Sequence, residues 1–483
     1  MKYAVLTEPW VPVKDLRGEI REVGLYEALL SASEFSEITT DNPQTEFGLY
    51  RFLFTFLMDA FHPMTSDDLL DLLDAGSFDE TIIKDYIEKC RREGVTFDLF
   101  DEKMPFLQAG ADQWENKAEP VSIAKMNPVL PSGNNHVHFD HVFEAERGLS
   151  PAEALRILTS LTAFSLAGIQ GYPSTVNGAP PIYTIIRGNN LFETLIFGMV
   201  PASEHKDYDS IPPVWRWKEL LVPKKEVAET SLLFGLTFPC RKVRLMMPVN
   251  GMIKNVCYLQ GLNYIGYEGW VDPYVSYSFS EKKGRSNLKP NENVENWRNI
   301  ATIFDNQKTA PFVVRQYCSL LERKYVHVIE YSILSNQESY VDQQRNEYVL
   351  SEKIVKSSVR FDLLQKALGR VEEQGSRLTQ TIDWYRDRIK RKKELGVPAV
   401  EKTSAAKEYY FECRKLFFEK LIEKAETIDL SEANDLLDQW EKDVIHISLS
   451  CYRKFMDRVC SNSHDLMEAE RVEHWLFSKR GKE

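Results

Sequence analysis

The chain lacks the features that would place it in several large classes. No run approaches the roughly 18 apolar residues that a membrane-spanning helix needs. The apolar stretch within Met1-Lys-Tyr-Ala-Val-Leu-Thr-Glu-Pro-Trp10 is too short for a secretory signal, so we expect a cytoplasmic protein with no membrane partner. Cysteine is sparse: seven in 483 residues, at 90, 240, 257, 318, 413, 451 and 460. An odd count without CxxC spacing argues against a disulfide framework and against a zinc knuckle, and points to reduced, mostly buried thiols. Positive charge is not in excess either. Sixty Lys and Arg stand against 72 Asp and Glu, giving a net charge of −12 and a pI near 5.5. A free-standing DNA-binding domain carries a basic surplus, whereas a subunit of an assembly can leave phosphate neutralisation to its partners. There is no GxxxxGK[ST] phosphate loop and no GxSxG elbow. No Cys–His pairing and no isolated carboxylate pair stands out for nucleophilic or acid–base work. The expectation is a protein that is not an enzyme and needs no cofactor.

Helix breakers are missing from one end of the chain. Residues 351–483 hold four of the 23 glycines (Gly369, Gly375, Gly396, Gly481) and one of the 22 prolines, Pro398. That segment should be nearly all helix. Leu436, Trp440, Val444, Ile447, Cys451, Phe455 and Val459 form one apolar stripe, with Ser431 at the expected N-cap. A second helix is predicted from about Ser404 to Ala425, with Tyr409, Cys413, Leu416 or Phe417, and Leu421 on one side. Two more fit around Phe361–Val371 and Gln374–Glu394, with Gly396-Val-Pro398 as a stop. Four amphipathic helices with short connections predict an antiparallel four-helix bundle over 351–483.

Residues 1–350 read as mixed. Short β-like runs (Tyr3–Leu6, Ile182–Ile186, Val243–Met247, Val326–Ile333) alternate with helical stretches (Thr45–Phe61, Ser66–Leu73, Pro151–Ala167, Leu191–Met199). The strands are too irregularly spaced for a βαβ unit or a sandwich. The fold class expected is α+β: a large irregular N-terminal domain followed by an all-α C-terminal bundle.

Three kinds of string carry possible chemistry. Basic patches occur at Arg241-Lys-Val-Arg244, at Lys282-Lys-Gly-Arg285 with Lys289, and from Arg386 to Lys393; each alone reads as a solvated face. His136-Val-His138-Phe-Asp140-His141 has the HxHxDH pattern of the metallo-β-lactamase superfamily, whose nitrogens and carboxylate can hold zinc and generate hydroxide. Here it follows a turn-rich loop, Leu130-Pro-Ser-Gly-Asn-Asn135, instead of a strand. The next histidines, His205 and His327, lack that superfamily's context. A zinc-dependent hydrolase is the alternative reading. The third string, Ala167-Gly-Ile-Gln-Gly-Tyr-Pro-Ser-Thr-Val-Asn-Gly178, follows a helix and precedes a strand. Its glycines permit close approach to a ligand or to another backbone.

Five segments, in order along the chain, resemble one family. They are Glu8-Pro-Trp-Val-Pro-Val13; Phe97-Asp-Leu-Phe100 running into Met104-Pro-Phe-Leu-Gln108; Ser132-Gly-Asn-Asn135 running into Phe139-Asp-His141; Asn190-Leu-Phe-Glu-Thr194; and Gly235-Leu-Thr-Phe238. Their order and spacing resemble the large subunit of the type I-E CRISPR surveillance complex, Cascade (the CasA family). The resemblance implies antiviral defence by a crRNA-guided complex. Its partners would be the other Cascade subunits, the crRNA, target double-stranded DNA and a nuclease-helicase effector recruited after R-loop formation. It implies a minor-groove reader of the protospacer-adjacent motif (PAM) at Gly168-Ile-Gln-Gly171, including Gln170. It also implies a strand-separating wedge at Asn336 and Gln337. Ser132, Gly133, Asn134, Asn135 and His136 would belong to a loop that engages the crRNA 5′ handle and neighbouring subunits. Some relatives carry a lysine that reaches the PAM; the matching stretch here, Leu259-Gln-Gly-Leu-Asn263, has none, and Lys254 is the nearest upstream.

Overall fold

The computed structural model describes residues 2–114, 119–126, 147–167, 171–280, 284–291, 294–304, 309–321, 323–336, 339–389 and 399–477. It divides into two compact units. One comprises Met1–Pro290, Asp305–Leu321 and Val326–Val349; the other comprises Asn291–Phe304, Glu322–Tyr325 and Leu350–Glu483.

The first unit opens with a small antiparallel sheet, β1 (Val11–Asp15), β2 (Ile20–Val23) and β3 (Phe35–Ile38), with β1 in the centre. The chain then enters α1 (Pro43–Phe61). Proline at the first helical position and the Asn42 side chain, which accepts from the Gln44 and Thr45 N–H groups, start this helix; His62, in a left-handed conformation (φ 47°), ends it. Every residue from Gln44 to Asp59 is buried, so α1 is a central helix and not a surface one. It packs against α2 (Pro151–Phe164), which starts at a Ser150–Glu153 capping box. Phe47 of α1 stacks on Tyr183 with ring centroids 4.4 Å apart and meets Phe164 of α2 edge-on at 5.7 Å.

Tyr183 begins β4 (Tyr183–Ile186). Later come β5 (Arg241–Leu245), β6 (Asn255–Gln260), β7 (Tyr325–Asn336) and β8 (Ser339–Ser351). One sheet has the order β8-β7-β4, with Tyr331 opposite Tyr183 and Glu330 opposite Thr184. Another joins β5 and β6 and adds the short strand Val121–Ser122 at the β6 edge. The Tyr3–Leu6 strand does not form. Only the Ala4–Asp98 bridge is made, and the Thr7 and Glu8 N–H groups both return to the Ala4 carbonyl, turning the chain.

The second unit is helical: α3 (Ser358–Arg388), α4 (Ala399–Leu416), α5 (Ala433–Val459) and α6 (Ser463–Glu473). Beyond α4 a π-turn, Phe417–Leu421, leads into a further helical turn, Ile422–Thr427. The two helices expected around Phe361–Val371 and Gln374–Glu394 are one continuous helix, α3. Gly375 does not break it; a β-carbon there would come 2.4 Å from the Tyr410 hydroxyl, so the glycine marks a close approach of α4. Leu436, Trp440, Val444, Cys451 and Phe455 are buried along α5 as expected, while Ile447 is half-exposed and Ser448 takes the inner position. Ser431 is not the N-cap of α5. Its N–H and hydroxyl both bond the Asp429 carboxylate (2.9 and 2.8 Å), and Asp429 caps a short 3-10 turn, Leu430–Glu432, ahead of the helix. Among the described residues, no helix is long and apolar enough to cross a membrane.

Candidate nucleic-acid interface

Of the glycine loop, Gly168, Ile169 and Gln170 lie outside the described residues. Gly171 is exposed and left-handed, with φ +67°, a conformation that a side-chain-bearing residue rarely adopts. A β-carbon there would lie 3.1 Å from the ammonium nitrogen of Lys224. Lys224 is itself exposed and left-handed (φ 61°). Its N–H donates to the Gly261 carbonyl at 2.7 Å, and Glu226–Val227 pairs in parallel with Asn263–Tyr264. The lysine-free stretch Leu259–Asn263 is thus bonded to a segment that supplies a lysine from elsewhere in the chain. Sequence spacing hid Lys224, because only this backbone pairing brings it to Gly171.

The loop is fastened by a buried cation on one side and by a buried asparagine on the other. Arg241 is buried, which corrects the expectation of a solvated basic face at Arg241-Lys-Val-Arg244; Lys242 is buried with it. The Arg241 guanidinium donates to the carbonyls of Leu166 (2.5 Å), Pro173 (2.7 Å) and Cys240 (2.9 Å) and to the Tyr258 hydroxyl (3.1 Å). It also lies over the Tyr172 ring, 4.9 Å from the centroid, and the Lys125 ammonium lies 5.4 Å from the same centroid. Its donors go to backbone that no regular ladder satisfies.

The other side ends at Asn177. Its amide donates to Asp272 (2.8 Å) and to the Tyr183 hydroxyl (3.1 Å), and its carbonyl oxygen accepts from the Trp270 indole (2.8 Å). Asp272 pairs with Arg51 of α1 at 2.8 Å, with both side chains at most 1% exposed. Arg51 also donates to the Leu236 carbonyl at 2.8 Å. The loop is therefore tied, through a buried ion pair, to the central helix.

Of the two wedge candidates, one falls on the β7–β8 hairpin. Asn336 is the last residue of β7; Gln337 lies outside the described residues. Lower on β7, Glu330 is fully buried, and burial pushes its carboxyl up to about 8 against a smaller opposite pull from the Tyr348 hydroxyl. Ser132, Gly133, Asn134, Asn135 and His136, with the rest of the HxHxDH string, lie outside the described residues. The chain on either side is held by β6 and the residues before it: Val121 pairs with Val256, and Leu149 bridges Ile253. Among the described residues no group of three His, Cys, Asp or Glu side chains could hold a metal. His205 is turned to its own chain, with Nδ1 2.6 Å from the Asp207 carbonyl, and burial lowers its pKa. None of the seven cysteines is in a disulfide, and six are buried. Of the other basic patches, Arg285 donates to the Glu268 and Trp270 carbonyls, Arg386 pairs with Asp383, and Arg388 pairs with Glu468.

This architecture is found in solved CRISPR-associated proteins. The chain superposes on Thermus thermophilus CasA (Cse1) with a TM-score of 0.78 at 24% identity, covering 99% of each chain. It superposes on Cse1 from Acidimicrobium ferrooxidans with a TM-score of 0.77 at 19% identity, covering 99% of this chain and 97% of that one. In sequence it is 29% identical over 405 residues to the CRISPR-associated protein CasA/Cse1 of Thermus thermophilus, covering 78% of this chain and 76% of the relative. The family model for CRISPR-associated protein Cse1 matches residues 5–451, and the chain belongs to that family. This is the CasA family, the large subunit of type I-E Cascade, to which the five short segments pointed.

Proposed function

We propose that the chain acts in the cytoplasm as a non-enzymatic, DNA-reading subunit of a crRNA-guided surveillance complex. Residues 1–350 form its PAM-recognition domain and 351–483 its bundle. The glycine loop approaches the PAM in the minor groove, whose pattern mainly separates A·T from G·C; sequence identity is left to guide–target pairing. Lys224 supplies the groove-facing cation that Leu259–Asn263 lacks. The β7–β8 turn, with Asn336 and Gln337, enters below the PAM and offsets the few kcal/mol needed to open the first base steps. The loop containing Ser132–His136 meets the crRNA handle and neighbouring subunits, and the bundle lies beside the displaced strand. The R-loop complex then recruits the nuclease-helicase. The observation that carries this reading is the left-handed, exposed Gly171 beside the Lys224 ammonium, on a loop fastened at both sides. The acidic balance of the chain supports action within a complex, where binding depends on salt through counterion release.

The test is PAM-dependent binding of the reconstituted complex. Gly171→Asp should weaken it by about tenfold, close to 1.4 kcal/mol, by straining the backbone and repelling phosphate. Lys224→Met should weaken it less and flatten its salt dependence by roughly one unit of slope. Parent-like affinity in a Gly171→Asp complex with normal circular dichroism would remove the loop from the interface.

A further inference from the structure

A network of ion pairs joins the β7–β8 hairpin to the rest of the first unit. Arg345, on β8, bonds Glu46 of α1 (Nε to Oε1, 2.9 Å) and Glu347 (Nη1 to Oε2, 3.1 Å), and lies 3.9 Å from Glu37 of β3. Arg187, the residue after β4, takes the same Glu37 at 3.0 Å and Glu347 at 2.6 Å. Tyr331, on β7, donates to Glu46 Oε1 at 2.6 Å, and Lys14 of β1 reaches Glu37 at 3.3 Å. The Glu46 side chain is 4% exposed and that of Arg345 28%, so these pairs are shielded in a way that ordinary surface pairs are not. Arg345 reaches carboxylates on β3, α1 and its own strand at once.

The hairpin runs well past this network. Ile333 and Leu334 are still buried, while Ser335 is exposed. On β8, Gln343 accepts a bond from Gln44 at 3.4 Å. From Arg345 to Ser339 an extended strand covers about 20 Å, so a tilt of about 10° at Arg345 moves the turn by roughly 3 Å. A two-stranded hairpin on its own is at best marginally stable in water, so this one depends on contacts at its base. A misplacement of about 1 Å at a working group can cost a large factor in rate.

We propose that Arg345 is a positioning residue for the β7–β8 turn: its guanidinium, shared among Glu46, Glu347 and Glu37, sets the direction in which the hairpin projects toward the duplex. This rests on the wedge reading above. Arg345 does not itself meet DNA; its effect is felt at strand separation and not at the first encounter with the PAM.

The experiment follows R-loop formation by the reconstituted complex, using permanganate reactivity, on fully paired targets and on targets mismatched in the first base pairs beside the PAM. Arg345→Met should slow opening of paired targets by about tenfold and leave pre-opened targets near the parent rate. Arg345→Lys, which keeps the charge but loses the planar fork, should fall between. Glu347→Gln leaves Arg345 in place and should give the same pattern more weakly, which covers the case of a poorly folded Arg345→Met. The salt slope of PAM-dependent binding should stay at the parent value, since a phosphate contact would lower it by about one. A parent-like opening rate in well-folded Arg345→Met and Glu347→Gln complexes overturns the proposal. So does an equal defect on pre-opened targets, or a reduced salt slope. Gln337→Ala separates the two failures. If it slows opening while the Arg345 variants do not, only the positioning role falls; if it does not, the wedge reading falls, and this proposal with it.

Discussion

The core of the first unit encloses a fully buried ion pair, Arg51–Asp272, and a buried guanidinium, Arg241, whose donors go to loop carbonyls. In the second unit, the long helices bury Leu436, Trp440, Val444 and Phe455 from α5 with Leu364, Val371 and Leu378 from α3. Between α3 and α5 its inner polar groups are neutral and bond from helix to helix, such as the Trp440 indole to the Ala367 carbonyl (2.9 Å) and Gln374 to Ser448 (2.7 Å). The contrast follows from the backbone. A helix satisfies its own N–H and C=O groups, so periodic apolar residues suffice to pack it. The first unit places irregular chain such as residues 171–178 against its core. There, side chains must supply the missing partners, and charged groups do so with the strongest bonds.

That contrast can be broken most directly at Asp272. Asp272→Ala leaves Arg51 buried and uncompensated and should cost the first unit about 3–5 kcal/mol. Hydrogen exchange should rise across residues 171–178 while the α3–α5 amides keep their protection. A loss confined to the helical unit would reverse the assignment of roles. A purely apolar deletion in the second unit, Val444→Ala, should cost about 2 kcal/mol through lost burial and a small cavity; chemical denaturation measures it, and it should be insensitive to salt and pH. The comparison sharpens at Glu330. Its carboxyl is raised from 4.5 to about 8 by burial, so the folded state keeps a proton that the unfolded chain releases. Stability of the first unit should therefore fall as pH rises between those values, by up to about 1.4 kcal/mol per pH unit, and level off above. Glu330→Gln should flatten that slope, and an unchanged slope in thermal melts from pH 5 to about 9 would show that the proton is not held there.

Legibility in the sequence followed the same division. The stripes on α4 and α5 could be read because burial there depends on spacing alone, and Phe417, not Leu416, takes the inner place. The error in that region was to end one helix at Val371 and start another at Gln374; α3 runs through, and Gly375 within it makes room for Tyr410. In the first unit α1 was legible within two residues of its start, the Asn42-Pro43 cap being overlooked. β8 was not legible. Its Gln343, Arg345 and Glu347 become contact residues only through partners far away in sequence: Gln44 for Gln343, Glu37 and Glu46 for Arg345, and Arg187 for Glu347. At the candidate interface Gly171 is reached through the family resemblance, with the glycine content of the loop beside it. Lys224 is not, because the parallel pairing of Glu226–Val227 with Asn263–Tyr264 leaves no trace in local pattern.

The unbroken α3 has a mechanical consequence. Thirty-one residues of helix make a strut about 46 Å long. With no interior joint, its ends cannot bend independently, so a push on one end is transmitted to the other as rotation. A tilt of about 5° about the Arg388 end would sweep the Ser358 end through roughly 4 Å. Two shorter helices would absorb the same push at the hinge between them. By seating Tyr410 against a glycine instead of breaking the chain there, the protein keeps a lever arm where its sequence suggested an elbow.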